Sequence, residues 1–477
     1  MASEVWPQPV LDLLTTGDDR PVFEDGDRVV TAAGMASLVR RAAGGLRAAG
    51  VGPGTGVALE VGVSPEAFAV IIAAFALGAR VSGVRPGLTP SQKRPFLDLD
   101  GAAGAALVDD ARAADLAAGP DDGAPLVAAG RPADLARITW TSGSTGVPKG
   151  CVRTYAAMSA AWAPYPDRWP PAVADLAARL DRYLVFGSLN SLVMLEYAVL
   201  TLAAGGTLVA ARPPGLPDMV TRHRATASVV TVGKLHQLVR DQRSRPADLS
   251  SLRALLVSGS PLEPGRLTEA LDVLGPVVFH GYGQTETGMI AMVTPAELAA
   301  DPRLRASVGR APAVTDLSIR DAAGRPAAEG ELYVRTPSQA SGYWADPDGT
   351  AEVFDAGWVR TRDLARLDER GYLYLDGRIR DIIIVNAEVV YAGPVERILG
   401  GDPAVAEAYV VGRPDDATGE AVHAFLVPAT GHTPDPDRLR TLVGAALGPA
   451  AVPHTVRLID RVPVTPNGKP DKKALPR

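Results

Sequence analysis

Between about residues 56 and 282, short apolar runs alternate with stretches of helical periodicity. The run 57–61 reads as a strand, and the helix after it opens on Ser64-Pro-Glu-Ala, a serine placed to cap with proline in the first turn. The rhythm recurs with strands over 183–186, 207–211, 227–232, 254–257 and 277–279. Between them lie helices running to Ala204, near Met219, and from Lys234 and Pro264. Strand, helix, strand at this spacing predicts a parallel sheet covered on both faces, with ligands beyond the carboxyl ends of its strands. Glycine- and hydroxyl-rich segments at 141–146, 258–262 and 280–288 each follow such a strand, so the three are expected to line one crevice.

From about residue 317 the pattern changes to short strands and turns, over 316–320, 330–335 and 371–377, which predicts an antiparallel sheet or barrel completing the large unit. After Arg380 come a strand over 381–385, a helix over 393–399, two more strands and a helix near Leu439. The expected fold class is α/β: a large N-terminal domain of parallel α/β sheets with a β-barrel-like subdomain, residues 1–379, and a small α+β C-terminal domain, residues 380–477. The alanine-rich stretch near 102–136 reads as a loose excursion.

A chain of 477 residues exceeds what one core usually supports, which agrees with two or more domains. Its net charge of -6 and lack of a basic tract argue against nucleic acid. The single cysteine, Cys151, excludes an internal disulfide framework, and the six histidines form no metal-ligand spacing. The N-terminus has no signal-peptide pattern, and the apolar run 68–79 is about half of the ~20 residues a membrane span needs, so a cytoplasmic protein with no membrane span is expected.

The loop Thr141-Ser-Gly-Ser-Thr-Gly-Val-Pro-Lys-Gly150 gathers hydroxyls, glycine N–H groups and a lysine behind an apolar strand and ahead of a helix-like segment over 154–161. That composition suits phosphate oxygens. It is not a Walker A loop, because Pro148 precedes Lys149 and Gly150 follows it. Further motifs follow in order: His280-Gly-Tyr-Gly-Gln-Thr-Glu-Thr-Gly288, Gly357-Trp-Val-Arg-Thr-Arg-Asp363, Gly377-Arg-Ile-Arg-Asp381 and Pro466-Asn-Gly-Lys469. Together these resemble the signatures of the adenylate-forming superfamily, which includes acyl- and aryl-CoA ligases, luciferases and peptide-synthetase adenylation domains. The resemblance covers roughly residues 30 to 475.

The resemblance implies an enzyme in which a carboxylate attacks the α-phosphate of ATP, giving an acyl-adenylate and pyrophosphate. A thiol or amine then takes the acyl group, with CoA the expected acceptor and a carrier-protein thiol or an amine the alternative. A non-catalytic nucleotide-binding homologue is a third reading, disfavoured by the joint presence of Lys469, Glu286, Asp363 and Arg378. In that frame Thr141, Ser142, Gly143, Ser144, Thr145, Gly146 and Lys149 hold the β- and γ-phosphates. Gly259, Ser260, Tyr282 and Gly283 border the adenine side, and Asp363 and Arg378 meet the ribose. Thr285 contacts the α-phosphate, Glu286 ligates Mg²⁺, and Lys469 bridges the incoming carboxylate and the α-phosphate. Asn190, Ser191, His280 and Gly281 line the acyl pocket, and Arg380 is the hinge about which a mobile C-terminal domain turns.

Three positions depart from the family pattern. Asn190 stands where many members carry a histidine; it resembles the asparagine that aryl-acid-activating members turn toward a ring hydroxyl, and it is equally placed to cap the following helix. No acidic residue lies between Asp181 and Glu196, which argues against a free α-amino acid. Arg362 replaces a glycine before the ribose aspartate and is expected to add a phosphate contact, and Ala387 replaces a glycine beside the thiol channel. Cys151 is expected to be packed; with Lys472 and Lys473 close by, Lys469 could belong to a solvated tail, but it alone fits the motif.

Overall fold

The computed structural model describes residues 5–16, 19–84, 88–99, 106–141, 149–213, 215–386, 388–415, 417–464 and 470–476. The alternating region divides between two sheets. In the larger, Thr207–Ala210, Arg182–Val185, Ala227–Thr231, Ala254–Ser258 and Val278–Gln284 are neighbours in parallel. Pro21–Asp25 and Arg28–Thr31 extend one edge. In the smaller, Leu135–Thr141, Arg80–Gly83, Gly56–Glu60 and Ala106–Asp109 are parallel neighbours. The helix Pro65–Ala76 is buried on every side, as its unbroken apolar run requires. Ser64 caps it by accepting from Ala67 N–H, as the sequence predicts.

The antiparallel part is hydrogen-bonded onto the larger sheet: Gly288–Val293, Gly309–Arg310, Tyr372–Arg378, Trp358–Leu367, Glu329–Arg335 and Asp316–Arg320 continue it in that order. These strands enclose a core of their own around Ile290, Ile319, Leu332, Val334 and Leu373. A third sheet, with Glu388–Tyr391, Ile382–Val385, Gly419–Pro428, Val405–Asp415 and Thr455–Leu458, packs with the helices Ala392–Gly400 and Pro436–Leu447 around Val395, Leu399, Leu426, Leu439 and Val443. This α+β unit matches the expected small domain, with two strands more than the sequence pattern gave. None of the described helices is long and apolar enough to cross a membrane.

One expectation is corrected here, and one segment is added that the sequence pattern did not give. The stretch near 102–136 carries the strand Ala106–Asp109 and the helix Asp110–Ala118, whose Ala113 and Leu116 join the main core. This helix sits close to the helix Ala32–Ala48 because Gly45 there leaves room for Leu116, which a Cβ on Gly45 would meet at 2.6 Å. The segment after the phosphate-type loop is a strand, Lys149–Thr154, antiparallel to Leu135–Thr141 with Thr141 opposite Lys149. The loop is therefore a hairpin connection, and the helix Tyr155–Ser159 begins only beyond the returning strand.

Candidate active site

Residues opposite each other on antiparallel strands point to the same face. The 135–154 hairpin thus presents three rungs toward the larger sheet: Arg137 beside Arg153, Thr139 beside Cys151, and Thr141 beside Lys149. Ser142, Gly143, Ser144, Thr145 and Gly146 lie outside the described residues, as does Lys469. On the last rung, Thr141 Oγ1 donates to the Lys149 carbonyl at 3.3 Å. Lys149 Nζ pairs with Asp346 at 2.9 Å and sits 5.0 Å from the centroid of the Tyr343 ring.

Thr285 and Glu286 occupy the tight turn between Val278–Gln284 and Gly288–Val293, where Gln284 pairs with Gly288. The second signature is thus mainly the strand itself. Glycine is required at position 283, because a Cβ there would lie 2.3 Å from the Gly288 carbonyl oxygen. Thr287 closes the turn from inside, accepting from Gln284 N–H at 3.3 Å and donating to the Gly288 carbonyl at 3.0 Å. The turn rests on the buried face of the hairpin: Arg153 donates from Nη2 to the Thr285 carbonyl at 2.7 Å and from Nε to the Ser338 carbonyl at 2.9 Å.

Tyr343 donates to Glu286 Oε1 at 2.7 Å, and Ala340 N–H donates to the Glu286 carbonyl at 2.8 Å. Through Arg153, the strand that follows the first signature is joined to the second across 132 residues. Burial, with Glu286 close by, pushes the Cys151 thiol well above its ordinary range, so it is packed and not nucleophilic.

Asp363, 3 % exposed, takes three donors: Arg378 Nε at 2.8 Å on Oδ1, and Gln284 Nε2 at 2.7 Å with the Tyr282 hydroxyl on Oδ2. Desolvation beside Asp363 pushes the Tyr282 hydroxyl far up, which keeps it a donor. The register of Trp358–Leu367 against Tyr372–Arg378 sets Asp363 opposite Arg378 and so brings the third and hinge signatures together. Gly259, with φ +96°, and the half-buried Ser260 follow the strand Ala254–Ser258. His280 and Gly281 lie on the strand beside Leu256 and Val257. Burial lowers the His280 imidazole to about 4, so it is neutral.

Asn190 does not cap the following helix. That cap is Ser191, whose hydroxyl accepts from Met194 N–H at 3.5 Å, while the Asn190 amide donates to the Leu59 carbonyl and its own carbonyl accepts from Arg137. Arg362, in left-handed backbone with φ +62°, pairs with Glu352 and lies near enough to Tyr343 to act on its hydroxyl electrostatically. Lys472 is tied down. It bridges Asp381 at 2.7 Å and Glu396 at 2.9 Å, anchoring the chain three residues after Lys469 to the segment next to Arg380. Ala387 lies outside the described residues.

Sequence reasoning missed Tyr343, Gln284 and Arg153 as parts of the site. Arg153 had a readable signal, a second cation two places beyond Cys151 on a period-2 strand. Tyr343 comes from a two-residue strand and had none. Among the described residues no three histidine, cysteine, aspartate or glutamate side chains converge on a metal position. The single Glu286 carboxylate, whose Oε1 accepts from Tyr343, fits an ion such as Mg²⁺ held by one protein carboxylate together with phosphate oxygens.

Residues 14–118 and 97–344 match the AMP-binding enzyme family, and residues 394–469 match the AMP-binding enzyme C-terminal domain. The chain belongs to the adenylate-forming, AMP-binding enzyme family. It is 33% identical over 473 residues to a feruloyl-CoA synthase of an Amycolatopsis species, covering 93% of each chain. It is 35% identical over 343 residues to a fatty acid–[acyl-carrier-protein] ligase of Streptomyces coeruleorubidus, of which that match spans 64%, less than two thirds of the relative's length. Among solved structures of AMP-binding enzymes it superposes on an amide bond synthetase from Marinactinospora thermotolerans with TM-score 0.84 at 35% identity, covering 97% of this chain and 98% of that one.

Proposed function

We propose that the protein is an ATP-dependent carboxylic acid ligase that forms an acyl- or aryl-adenylate, releases pyrophosphate and passes the acyl group to CoA. The observation that carries this reading is the hairpin–turn contact, in which Arg153 holds the Thr285–Glu286 turn against the strand leading from the 141–150 loop. Adenylation asks the protein chiefly to position two anions and to neutralise charge as the α-phosphate is attacked. The Thr285 hydroxyl faces the α-phosphate and the loop hydroxyls and Lys149 take the departing pyrophosphate. Asp363, once Arg378 swings toward phosphate or ribose, accepts from the ribose hydroxyls. Glu286 would hold Mg²⁺, which would supply charge neutralisation to the phosphate oxygens. Lys469 approaches when residues 380–477 close about Arg380, bridging carboxylate and α-phosphate, and a second rotation clears it for thiol attack.

CoA as acceptor is supported by the near full-length similarity to a feruloyl-CoA synthase. The similarity to an amide bond synthetase supports the second reading, an amine acceptor. The test is exchange of labelled pyrophosphate into ATP over a panel of aromatic and aliphatic acids. Acid-dependent exchange is expected, and Lys469→Ala should lower it on the order of 10²–10³ or more. ATP binding without exchange for any acid would sink the reading. Where exchange occurs, adding CoA, a phosphopantetheinyl carrier or amines identifies the acceptor by the product formed.

A further inference from the structure

The strand Lys149–Thr154 has a second neighbour besides Leu135–Thr141. Gly342–Tyr343 pairs with it antiparallel, and Trp344 N–H extends the ladder by donating to the Gly150 carbonyl at 2.7 Å. The chain then turns at Ala345, in left-handed backbone with φ +52°, and enters the helix Pro347–Val353. That turn sets Asp346 at the helix N-cap and beside Lys149. Its Oδ1 accepts from Gly349 N–H at 2.8 Å and its Oδ2 takes the Lys149 ammonium at 2.9 Å, so one carboxylate serves the cap and the lysine together. Only glycine fits at position 349, because a Cβ there would lie 2.3 Å from Asp346 Oδ2 and 2.5 Å from Lys149 Nζ.

The Lys149 ammonium and the Gly349 N–H hold the Asp346 carboxyl below the ordinary carboxylate range, so it stays ionised near neutral pH. Both side chains are partly open, 25 % exposed for Lys149 and 33 % for Asp346, so an incoming anion can reach the ammonium. Such an anion meets two opposed charges. The ammonium attracts it, while the carboxylate repels it and holds the same ammonium. As long as the β- and γ-phosphates are joined to the α-phosphate, the rest of ATP keeps them in place and the competition is overcome. Once that bond breaks, pyrophosphate has only its own contacts, and a carboxylate ready to take back Lys149 weakens them.

We propose that Asp346 competes with pyrophosphate for the Lys149 ammonium, so that the ion pair re-forms as pyrophosphate leaves and hastens its release. Asp346 is a positioning residue that acts through Lys149. The inference rests on the ligase reading, in which Lys149 meets the departing pyrophosphate.

The test compares the unaltered protein with Asp346→Asn, which keeps the cap and an acceptor for Lys149 while removing the charge. Calorimetric titration with inorganic pyrophosphate in Mg²⁺ buffer should give a dissociation constant at least threefold lower in the variant, and pyrophosphate should inhibit adenylate formation at a correspondingly lower concentration. A pair with a merely structural role would lower the thermal melt without tightening pyrophosphate. If Asp346→Asn does not fold, Asp346→Ser, a shorter uncharged cap, decides by the same measurement. Lys149→Met should weaken pyrophosphate at least threefold. Pyrophosphate bound no more tightly by the uncharged Asp346 variants, or bound as before by Lys149→Met, overturns the inference, and acid-dependent exchange in the unaltered protein then leaves the ligase reading standing. No exchange with any acid defeats both.

Discussion

Glu286 keeps one oxygen on the Tyr343 hydroxyl, and in the proposed ligase that bond would orient the carboxylate toward Mg²⁺. Tyr343→Phe removes about 1 kcal/mol of hydrogen bonding, so the Mg²⁺ concentration for half-maximal pyrophosphate exchange should rise roughly fivefold with little change in melting temperature. Titration at two other residues acts on stability with opposite signs. Burial holds the Glu263 carboxyl up at about 7 against the pull of Arg397, above its unfolded value, so its stabilisation grows as pH falls from 7 toward 4.5. Burial, with Arg266 and Arg240, holds the His236 imidazole down at about 4, below its unfolded value. The unfolded chain therefore takes that proton first, and stability is lost as pH falls from 6.5 toward 4. Between pH 7 and pH 5, Glu263→Gln should steepen the drop in melting temperature relative to the unaltered protein. His236→Gln should flatten it, each through at most about 2 kcal/mol.

At the scale of elements, the 135–154 hairpin and the 284–288 turn form a rigid pair because each is closed from within. The hairpin is locked by its register, and the turn by Thr287 and by a glycine that nothing larger can replace. Gly283→Ala drives a Cβ into the Gly288 carbonyl and should destabilise the protein by about 2 kcal/mol or more while abolishing exchange, read by thermal melt and activity together. Strands and helices were legible wherever apolar periodicity was long, as in Pro65–Ala76 and Leu192–Ala203. The strand Lys149–Thr154 was not legible because a six-residue segment with one valine and two cations carries little β signal of its own. Its strand state comes from pairing with Leu135–Thr141 on one side and Gly342–Tyr343 on the other.

At the scale of the whole molecule, the third sheet meets the larger one through directional polar contacts: Arg397 to the Leu375 carbonyl at 2.8 Å, and Arg266 to the Val405 carbonyl. Contacts of this kind can be exchanged for others at modest cost, which suits domains that move relative to one another. The Lys472 bridge ties the tail after Lys469 to Asp381 and Glu396. Lys472→Met should therefore lower pyrophosphate exchange at least tenfold while the rest of the protein melts nearly as before, measured by exchange alongside calorimetry. By itself the sequence determined the period of each long element, the order of five signatures and the family, because these are written in residues close together along the chain. Only the tertiary structure decided that Arg153 supports Thr285, that Tyr343 holds Glu286, that Lys472 is an anchor and that Asp346 pairs with Lys149. Each of those relations joins residues tens to hundreds of positions apart, and what fixes them is packing and burial between sheets, which leaves no periodic trace in the local sequence.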